Sequence, residues 1–185
     1  IDAIIQEKNN GKNIKVVANL PYYITTPIIM DLLENERHVD SITVMVQKEV
    51  AQRICARPGT AAYGAFTVFC QYYTEPEILF DVPPHCFIPQ PKVTSSVIRL
   101  SRREKHPAEV KDEKLMFQII RAAFNQRRKT LVNAIGSQVS GVSKEMAAQA
   151  IDACGFDARI RGEVIDLVGF AKISDKLTDI MTVDL

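Results

Sequence analysis

The sequence has few cysteines, and their spacing excludes two classes of protein. None of the four (Cys55, Cys70, Cys86 and Cys154) forms the C-x-x-C pair that is typical of zinc sites and redox motifs. Four cysteines among 185 residues are also too sparse for a small domain held together by disulfides. We therefore expect reduced thiols, no bound metal and a cytoplasmic protein.

Other signatures of chemistry are missing as well. The longest apolar runs, such as residues 42–46, are far shorter than the roughly 18 residues of a membrane-spanning helix, so we expect no membrane partner. The three histidines (His38, His85 and His106) lack H-x-x-H spacing, which argues against a zinc deaminase or metalloprotease. No G-x-S-x-G segment or P-loop occurs. With 46% hydrophobic and 24% charged residues, the chain is typical of one or two globular domains.

Positive charge is concentrated in one stretch, although the whole chain carries only +1. Residues 92–129, here called the basic block, hold 11 basic and 4 acidic side chains, whereas the segments before and after each have a net charge of −3. Clustered Lys and Arg indicate a phosphate-binding surface for nucleic acid, with Arg102 and Arg103 among its contacts. A solvated cationic linker and helix face is an equally good interpretation of the charge alone.

The apolar pattern predicts an α/β region in the first half of the chain. A buried strand is expected at 14–18, and further strands at 42–46, 78–82 and 96–100. Thr26-Pro27 has the form of a helix N-cap followed by proline, and a second helix is expected from about Lys48. Alternating strands and helices predict a parallel, two-layer sheet. Residues 65–73 fit a helix or a strand.

The pattern changes after Ser101 to apolar residues at helical spacing. Four such stripes, predicted to be four helices, lie within 115–124, 131–135, 146–151 and 170–181. We therefore predict two domains, 1–107 and 108–185. The fold class is α/β followed by a small all-α domain.

One short motif, Asn19-Leu20-Pro21-Tyr22, follows the first predicted strand. Open α/β sheets bind ligands at the carboxyl ends of their strands. Adenine's exocyclic amine is a poor nucleophile because its lone pair is delocalised into the ring. Two acceptors on the amine protons, the Asn19 side-chain oxygen and the Leu20 carbonyl, would localise that pair.

The other two residues of the motif complete this amine clamp, as we call residues 19–22. Pro21 fixes its own φ and favours extended geometry at Leu20, which directs the Leu20 carbonyl. Tyr22 offers a ring for stacking with a flipped-out base, an interaction worth about 1–3 kcal/mol. The alternative is an ordinary strand exit, with Asn and Pro as turn residues and Tyr at the rim of the core.

Three ordered segments of the chain resemble one family. The motif at 19–22, with the following Y-I-T-T-P-I, resembles the small-subunit rRNA adenine N6-dimethyltransferases of the KsgA type, which share their fold with the Erm methyltransferases. Residues 87–95, F-I-P-Q-P-K-V-T-S, are similar to the family's F-x-P-x-P-K-V-x-S segment, and 124–131 to its F-x-x-R-R-K-T-L segment. The resemblance implies a Rossmann-like methyltransferase sheet of which this chain holds the C-terminal part.

The resemblance also implies roles for individual residues. Asn19 and Leu20 would hold the target amine, with Asn19 also beside the methyl donor, and Tyr22 and Phe87 would enclose the adenine ring. For Phe87 alone, a ring that anchors a proline-rich loop in the core is the simpler interpretation. The implied phosphate contacts are Lys92, Arg127, Arg128 and Lys129, although cations at a helix C-terminus are common on electrostatic grounds.

The implied reaction is dimethylation of adenosines in small-subunit rRNA, within an immature small ribosomal subunit, with S-adenosylmethionine as methyl donor. Such enzymes hold the donor on a Gly-rich turn, but none of the eight glycines here forms G-x-G. We therefore expect a fragment without its donor pocket, inactive alone. The alternatives are an Erm-type enzyme acting on large-subunit rRNA and a non-catalytic rRNA-binding assembly factor.

Overall fold

The computed structural model describes residues 2–36 and 38–183. The chain divides into two compact units. The first consists of the residues up to 56 together with 69–105, and the second of 57–68 together with the residues from 106 onward. The domain boundary predicted from the sequence placed 57–68 in the first domain, 1–107, whereas these residues belong to the second unit.

The first unit contains a four-stranded mixed sheet. Its strands are β1 (Ile14–Asn19), β2 (Val39–Gln47), β3 (Thr74–Val82) and β4 (Ser95–Arg102), in the spatial order β1-β2-β4-β3. The prediction of a parallel sheet is correct for β1 and β2 and wrong for β4, which is antiparallel to both of its neighbours. Parallel pairing needs a crossover, usually a helix, whereas the described residues 83–94 between β3 and β4 hold only a short 3₁₀ turn.

β1 differs from the buried strand that was predicted. Within the described residues it pairs only with β2, so it lies at an edge of the sheet. Exposed and half-buried side chains alternate along it, and Val17 is 78% exposed. Alternation of this kind is typical of a strand with one solvated face.

Four helices, α1 (Asp2–Asn9), α2 (Thr25–Asn35), α3 (Lys48–Ile54) and α4 (Ala65–Tyr73), accompany the strands along the chain. The ambiguous stretch 65–73 is therefore helical. α2 begins before the predicted Thr26 cap, because a 3₁₀ turn over Tyr22–Ile24 leads directly into it. The hydroxyl of Thr25 donates to the Pro21 carbonyl at 3.1 Å, which joins the start of α2 to the clamp.

Arg102, at the end of β4, connects α2 to the sheet. Its Nη2 donates to the carbonyls of Leu32, Leu33 and Glu36 at 3.2, 3.1 and 2.9 Å, and its Nε donates to the Val39 carbonyl at 3.0 Å. Carbonyls in the last turn of a helix have no partner within the helix. Burial lowers the pKa of the Arg102 guanidinium.

We expect Arg102→Met to lower the free energy of unfolding by about 2–3 kcal/mol, because it leaves several partly buried carbonyls without donors. Urea denaturation followed by circular dichroism measures the loss. Arg99→Met on the same strand is the matched control, since the ion pair of Arg99 with Glu77 is at the surface and is worth less than about 1 kcal/mol. Equal losses in the two variants would contradict this role of Arg102.

The second unit contains four α-helices in its described residues from 106 onward, which confirms the four predicted helical stripes. They are α5 (Glu113–Asn125), α6 (Leu131–Gln138), α7 (Lys144–Ala153) and α8 (Leu167–Val183). The side chains of Asp112, Thr130 and Ser143 cap α5, α6 and α7 by accepting a backbone N–H three residues further on. Such caps are worth about 1 kcal/mol each.

The segment 57–68 is anchored within the second unit by Tyr63. Its side chain is 2% exposed, its hydroxyl donates to the Ile165 carbonyl at 2.9 Å, and its ring meets Phe124 edge-on. Burial, followed by the negative charge of Asp166, raises the pKa of Tyr63, so the phenol stays a neutral donor. Within residues 2–36 and 38–183, no helix combines the length and apolar character that crossing a membrane requires.

Candidate active site

A cleft of about 290 Å³ lies in the first unit, where β1 ends. Two segments line it: the clamp, and the proline-rich loop that leads into β4. The lining residues are Asn19, Leu20, Pro21, Tyr22, Phe87, Pro89 and Pro91. The structure thus brings Phe87 together with all four residues of the clamp.

The hydrogen bonds of the clamp distinguish its oxygen atoms. The Pro21 carbonyl accepts from the Ile24 N–H at 3.2 Å and from the Thr25 hydroxyl, whereas the Leu20 N–H donates to the Met45 carbonyl at 3.4 Å. In the part of the chain that the structure describes, neither the Leu20 carbonyl nor the Asn19 side-chain amide has a hydrogen-bond partner. The two acceptors that were predicted from the sequence are therefore available to a ligand.

Burial separates the roles of these residues further. The Leu20 side chain is 8% exposed and belongs to the core, while Asn19 is exposed. Pro21 has φ −59°, as its ring requires. Leu20 therefore anchors the turn in the core, and it also lines the cleft.

Tyr22 is half-buried, and its hydroxyl is hydrogen-bonded to the Ser95 hydroxyl at 2.6 Å. Phe87 is also half-buried and lines the cleft, and its N–H donates to the Pro84 carbonyl at 3.2 Å. A ring that anchors the core would be buried, so the position of Phe87 favours a ligand contact over the simpler interpretation made from its sequence context.

The structure argues against Arg102 and Arg103 as phosphate contacts. The donors of Arg102 face the main chain at the end of α2, as described above. Arg103 donates through Nε to the carbonyls of Gln71 and Thr74, both at 3.1 Å, and through Nη1 to Glu75 at 2.6 Å. Both guanidinium groups therefore stabilise the fold of the first unit.

Arg127 likewise donates to main-chain carbonyls, in the second unit. It donates to the carbonyls of Ala61 and Tyr63, and its guanidinium lies 5.7 Å from the centre of the Phe124 ring. The side chains of Arg128 and Lys129, in contrast, are exposed and have no ion-pair or hydrogen-bond partner within residues 2–36 and 38–183.

Lys92, in the first unit, is exposed as well. The basic block is therefore divided between the two units, because Lys92, Arg102 and Arg103 belong to the first and residues 127–129 to the second. The exposed members of the basic block are the ones that remain candidates for phosphate contacts.

Sequence reasoning assigned no role to Ser95, Pro89 or Pro91, although all three lie in the segment 87–95 that carried the resemblance. Pro89 and Pro91 line the cleft, and Ser95 contacts Tyr22. The alternate spacing of Phe87, Pro89 and Pro91 in the sequence could have indicated that these residues share one face of the loop. Nothing in the sequence alone indicated that Ser95 would meet Tyr22, which lies 73 positions away.

The fold is that of the Rossmann-like rRNA methyltransferases. A crystal structure of a dimethyladenosine transferase from Plasmodium falciparum matches with a TM-score of 0.74 at 22% identity, covering 86% of this chain and 64% of that one. The 23S rRNA methyltransferase ErmE matches with a TM-score of 0.64 at 20% identity, covering 90% of this chain and 66% of that one. These identities establish the fold alone.

The sequence profile of the ribosomal RNA adenine dimethylases matches residues 2–156, and the chain belongs to this family. Ribosomal RNA small subunit methyltransferase A of Lachnoclostridium phytofermentans is 53% identical over 182 residues, which are 98% of this chain and 63% of that protein. The protein of the same name from Clostridium acetobutylicum is 48% identical over 180 residues, 95% of this chain and 64% of its own length. The chain thus spans somewhat less than two thirds of these relatives.

Proposed function

We propose that this chain supplies the target-base cleft of an enzyme that dimethylates the N6 amine of adenosines in small-subunit rRNA. The observation that carries the proposal is the pair of available acceptors, the Asn19 amide oxygen and the Leu20 carbonyl, in a cleft that Tyr22 and Phe87 also line. The substrate is rRNA in an immature small ribosomal subunit in the cytoplasm, and the reaction contributes to ribosome biogenesis.

The chemistry follows from the electronic structure of adenine. The N6 lone pair is delocalised into the ring, and hydrogen bonds from both amine protons to Asn19 and Leu20 return electron density to nitrogen. The Leu20 carbonyl is held before the base arrives, because Pro21 and the Thr25 hydrogen bond fix the main chain of the turn. Two acceptors directed at the amine stabilise the positive charge that develops on it as it attacks.

S-Adenosylmethionine supplies an electrophilic methyl group when it is bound. Asn19 is the residue of this chain that fits a contact with it, because its amide is exposed at the end of β1 and without a partner in the described residues. The amide offers two donors and an oxygen. No G-x-G turn occurs in the 185 residues.

We therefore expect these 185 residues by themselves to bind S-adenosylmethionine weakly and to be inactive. Isothermal titration calorimetry of this chain beside the full-length protein measures the difference. Equal affinities of the two would show that the donor site is complete within this chain, and would refute this part of the proposal.

Dimethylation sets a further condition on the cleft. After the first transfer only one amine proton remains, so one acceptor loses its partner and the first methyl group needs space. The cleft of about 290 Å³ is near the lower end of the range for small-ligand sites, about 300–1,000 Å³. Asn19, which lines the cleft, is exposed, and we expect the first methyl group to lie beside it.

The exposed cations of the basic block support an rRNA partner. We expect the double variant Arg128→Gln/Lys129→Gln to bind small-subunit rRNA more weakly. The slope of log K against log salt is expected to become less steep by about 1–2, because fewer counterions are released on binding when phosphate contacts are lost. Filter binding across a salt series measures this slope. Lys172→Gln/Lys176→Gln, in α8 of the same unit, makes the same charge change and is the control; equal slopes in both variants would contradict the assignment.

An Erm-type enzyme acting on large-subunit rRNA is the alternative within the same class. The likeness to ErmE, at 20% identity, extends to the fold. The relatives that are 53% and 48% identical carry the name of a small-subunit methyltransferase. Methylation assays on the separated subunit rRNAs distinguish the two substrates.

A further inference from the structure

Ser95 links the two segments that line the cleft. It is the first residue of β4, directly after the loop that carries Phe87, Pro89 and Pro91. Its side chain is completely buried, and its hydroxyl lies 2.6 Å from that of Tyr22. Residues 19–22 are thus connected, side chain to side chain, to the start of β4, where the proline-rich loop ends.

The hydrogen bond is well suited to fixing the Tyr22 ring. Tyr22 lies in a short 3₁₀ turn and is only half-buried, so packing alone leaves its χ angles less restricted than those of a core residue. A buried polar group is costly to leave unpaired, so each hydroxyl favours the direction of the Tyr22 side chain in which the two meet. The position of a stacking ring determines where a base is held.

We propose that Ser95 is a positioning residue for the methyl transfer, which holds the Tyr22 ring in the orientation that receives the target adenine. This inference rests on the function proposed above. Ser95 acts through Tyr22 and needs no contact with the base. Small misplacements of a reacting group lower rates strongly, so the loss of this hydrogen bond is expected to be visible in catalysis.

The neighbouring serine provides a matched control. Ser96 is also completely buried, but successive residues of a strand point to opposite faces, and its hydroxyl donates to Asp81 of β3 at 2.7 Å. Ser96→Ala therefore removes a buried hydroxyl and a hydrogen bond from the same strand without touching the cleft. A purely structural role of Ser95 would give the two variants the same behaviour.

The test is a double-mutant cycle in the full-length protein, with Ser95→Ala, Tyr22→Phe and the double variant assayed for methylation of small-subunit rRNA. We expect kcat/KM to fall about tenfold in each single variant and by no more than about tenfold in the double variant, because both remove the same hydrogen bond. The KM for S-adenosylmethionine is expected to stay constant.

Two results would overturn the inference: Ser95→Ala retaining the activity of Ser96→Ala, or losses that multiply in the double variant. If Ser95→Ala does not fold, Tyr22→Phe still reports on the hydrogen bond, since it leaves Ser95 in place, and full activity of Tyr22→Phe overturns the inference on its own. A wild-type protein that methylates no small-subunit rRNA refutes the proposed function and the inference with it. An active wild type with unaffected variants refutes only the role of Ser95.

Discussion

Asn19→Ala is expected to abolish adenosine methylation while leaving rRNA binding unchanged. Removing a single preorganised group that stabilises developing charge typically costs about 10²–10³ in rate, and Asn19 supplies one of the two acceptors of the clamp. Its side chain is exposed and has no partner among the described residues, so the substitution removes no hydrogen bond described within the fold. Single-turnover methylation and filter binding, made on the same full-length preparation, separate the two effects.

Asn35→Ala is the control for this substitution. Asn35 is exposed at the far end of α2, where its side chain donates to Asp31 at 2.7 Å, and the variant is expected to methylate at the wild-type rate. Full activity of Asn19→Ala would show that the amine is activated in another way. Strong rRNA binding by a wild-type protein without methylation would favour the non-catalytic assembly factor.

Phe87→Ala is expected to lower kcat/KM for rRNA by about 10- to 100-fold, because stacking of a base on an aromatic ring is worth about 1–3 kcal/mol. Phe87 lines the cleft and is not part of the buried core. The free energy of unfolding should therefore change much less than the activity. Steady-state methylation kinetics and urea denaturation of the same variant measure both quantities.

Ile88→Ala is the matched control, since Ile88 is the next residue of the loop, is fully exposed and does not line the cleft. We expect it to be nearly as active as the wild type. Phe87→Tyr keeps an aromatic face and is expected to retain most of the activity. A Phe87→Ala protein that is destabilised but catalytically normal would return Phe87 to the loop-anchoring role considered from its sequence.

Local patterns predicted most of the secondary structure. Apolar residues at period 3.6 identified α5 to α8, and β-branched runs identified β1 to β4, because these periodicities reflect which faces of an element are buried. The direction of β4 was predicted wrongly, since strand pairing depends on how chain connections close and not on the strand's own residues. The helix α2 begins at Thr25, before the predicted N-cap at Thr26, because the hydrogen bond from Thr25 to Pro21 joins the preceding turn to the helix.

The part of the candidate site that lies in consecutive residues could be predicted from the sequence. The acceptors of the clamp lie in four consecutive residues, so a short motif was enough to predict them, and their role stays a prediction. The basic residues were harder, because a list of charges does not show which guanidinium groups are already bonded to the main chain. Arg102, Arg103 and Arg127 are bonded in this way, whereas Arg128 is exposed.

The most direct test is a structure of the full-length protein bound to an rRNA fragment that carries the target adenosine. We predict that the adenine N6 atom lies about 2.7–3.2 Å from both the Asn19 Oδ1 and the Leu20 carbonyl oxygen, with the ring between Tyr22 and Phe87. A base bound outside this cleft, or an amine whose protons are directed to other groups, would contradict the account.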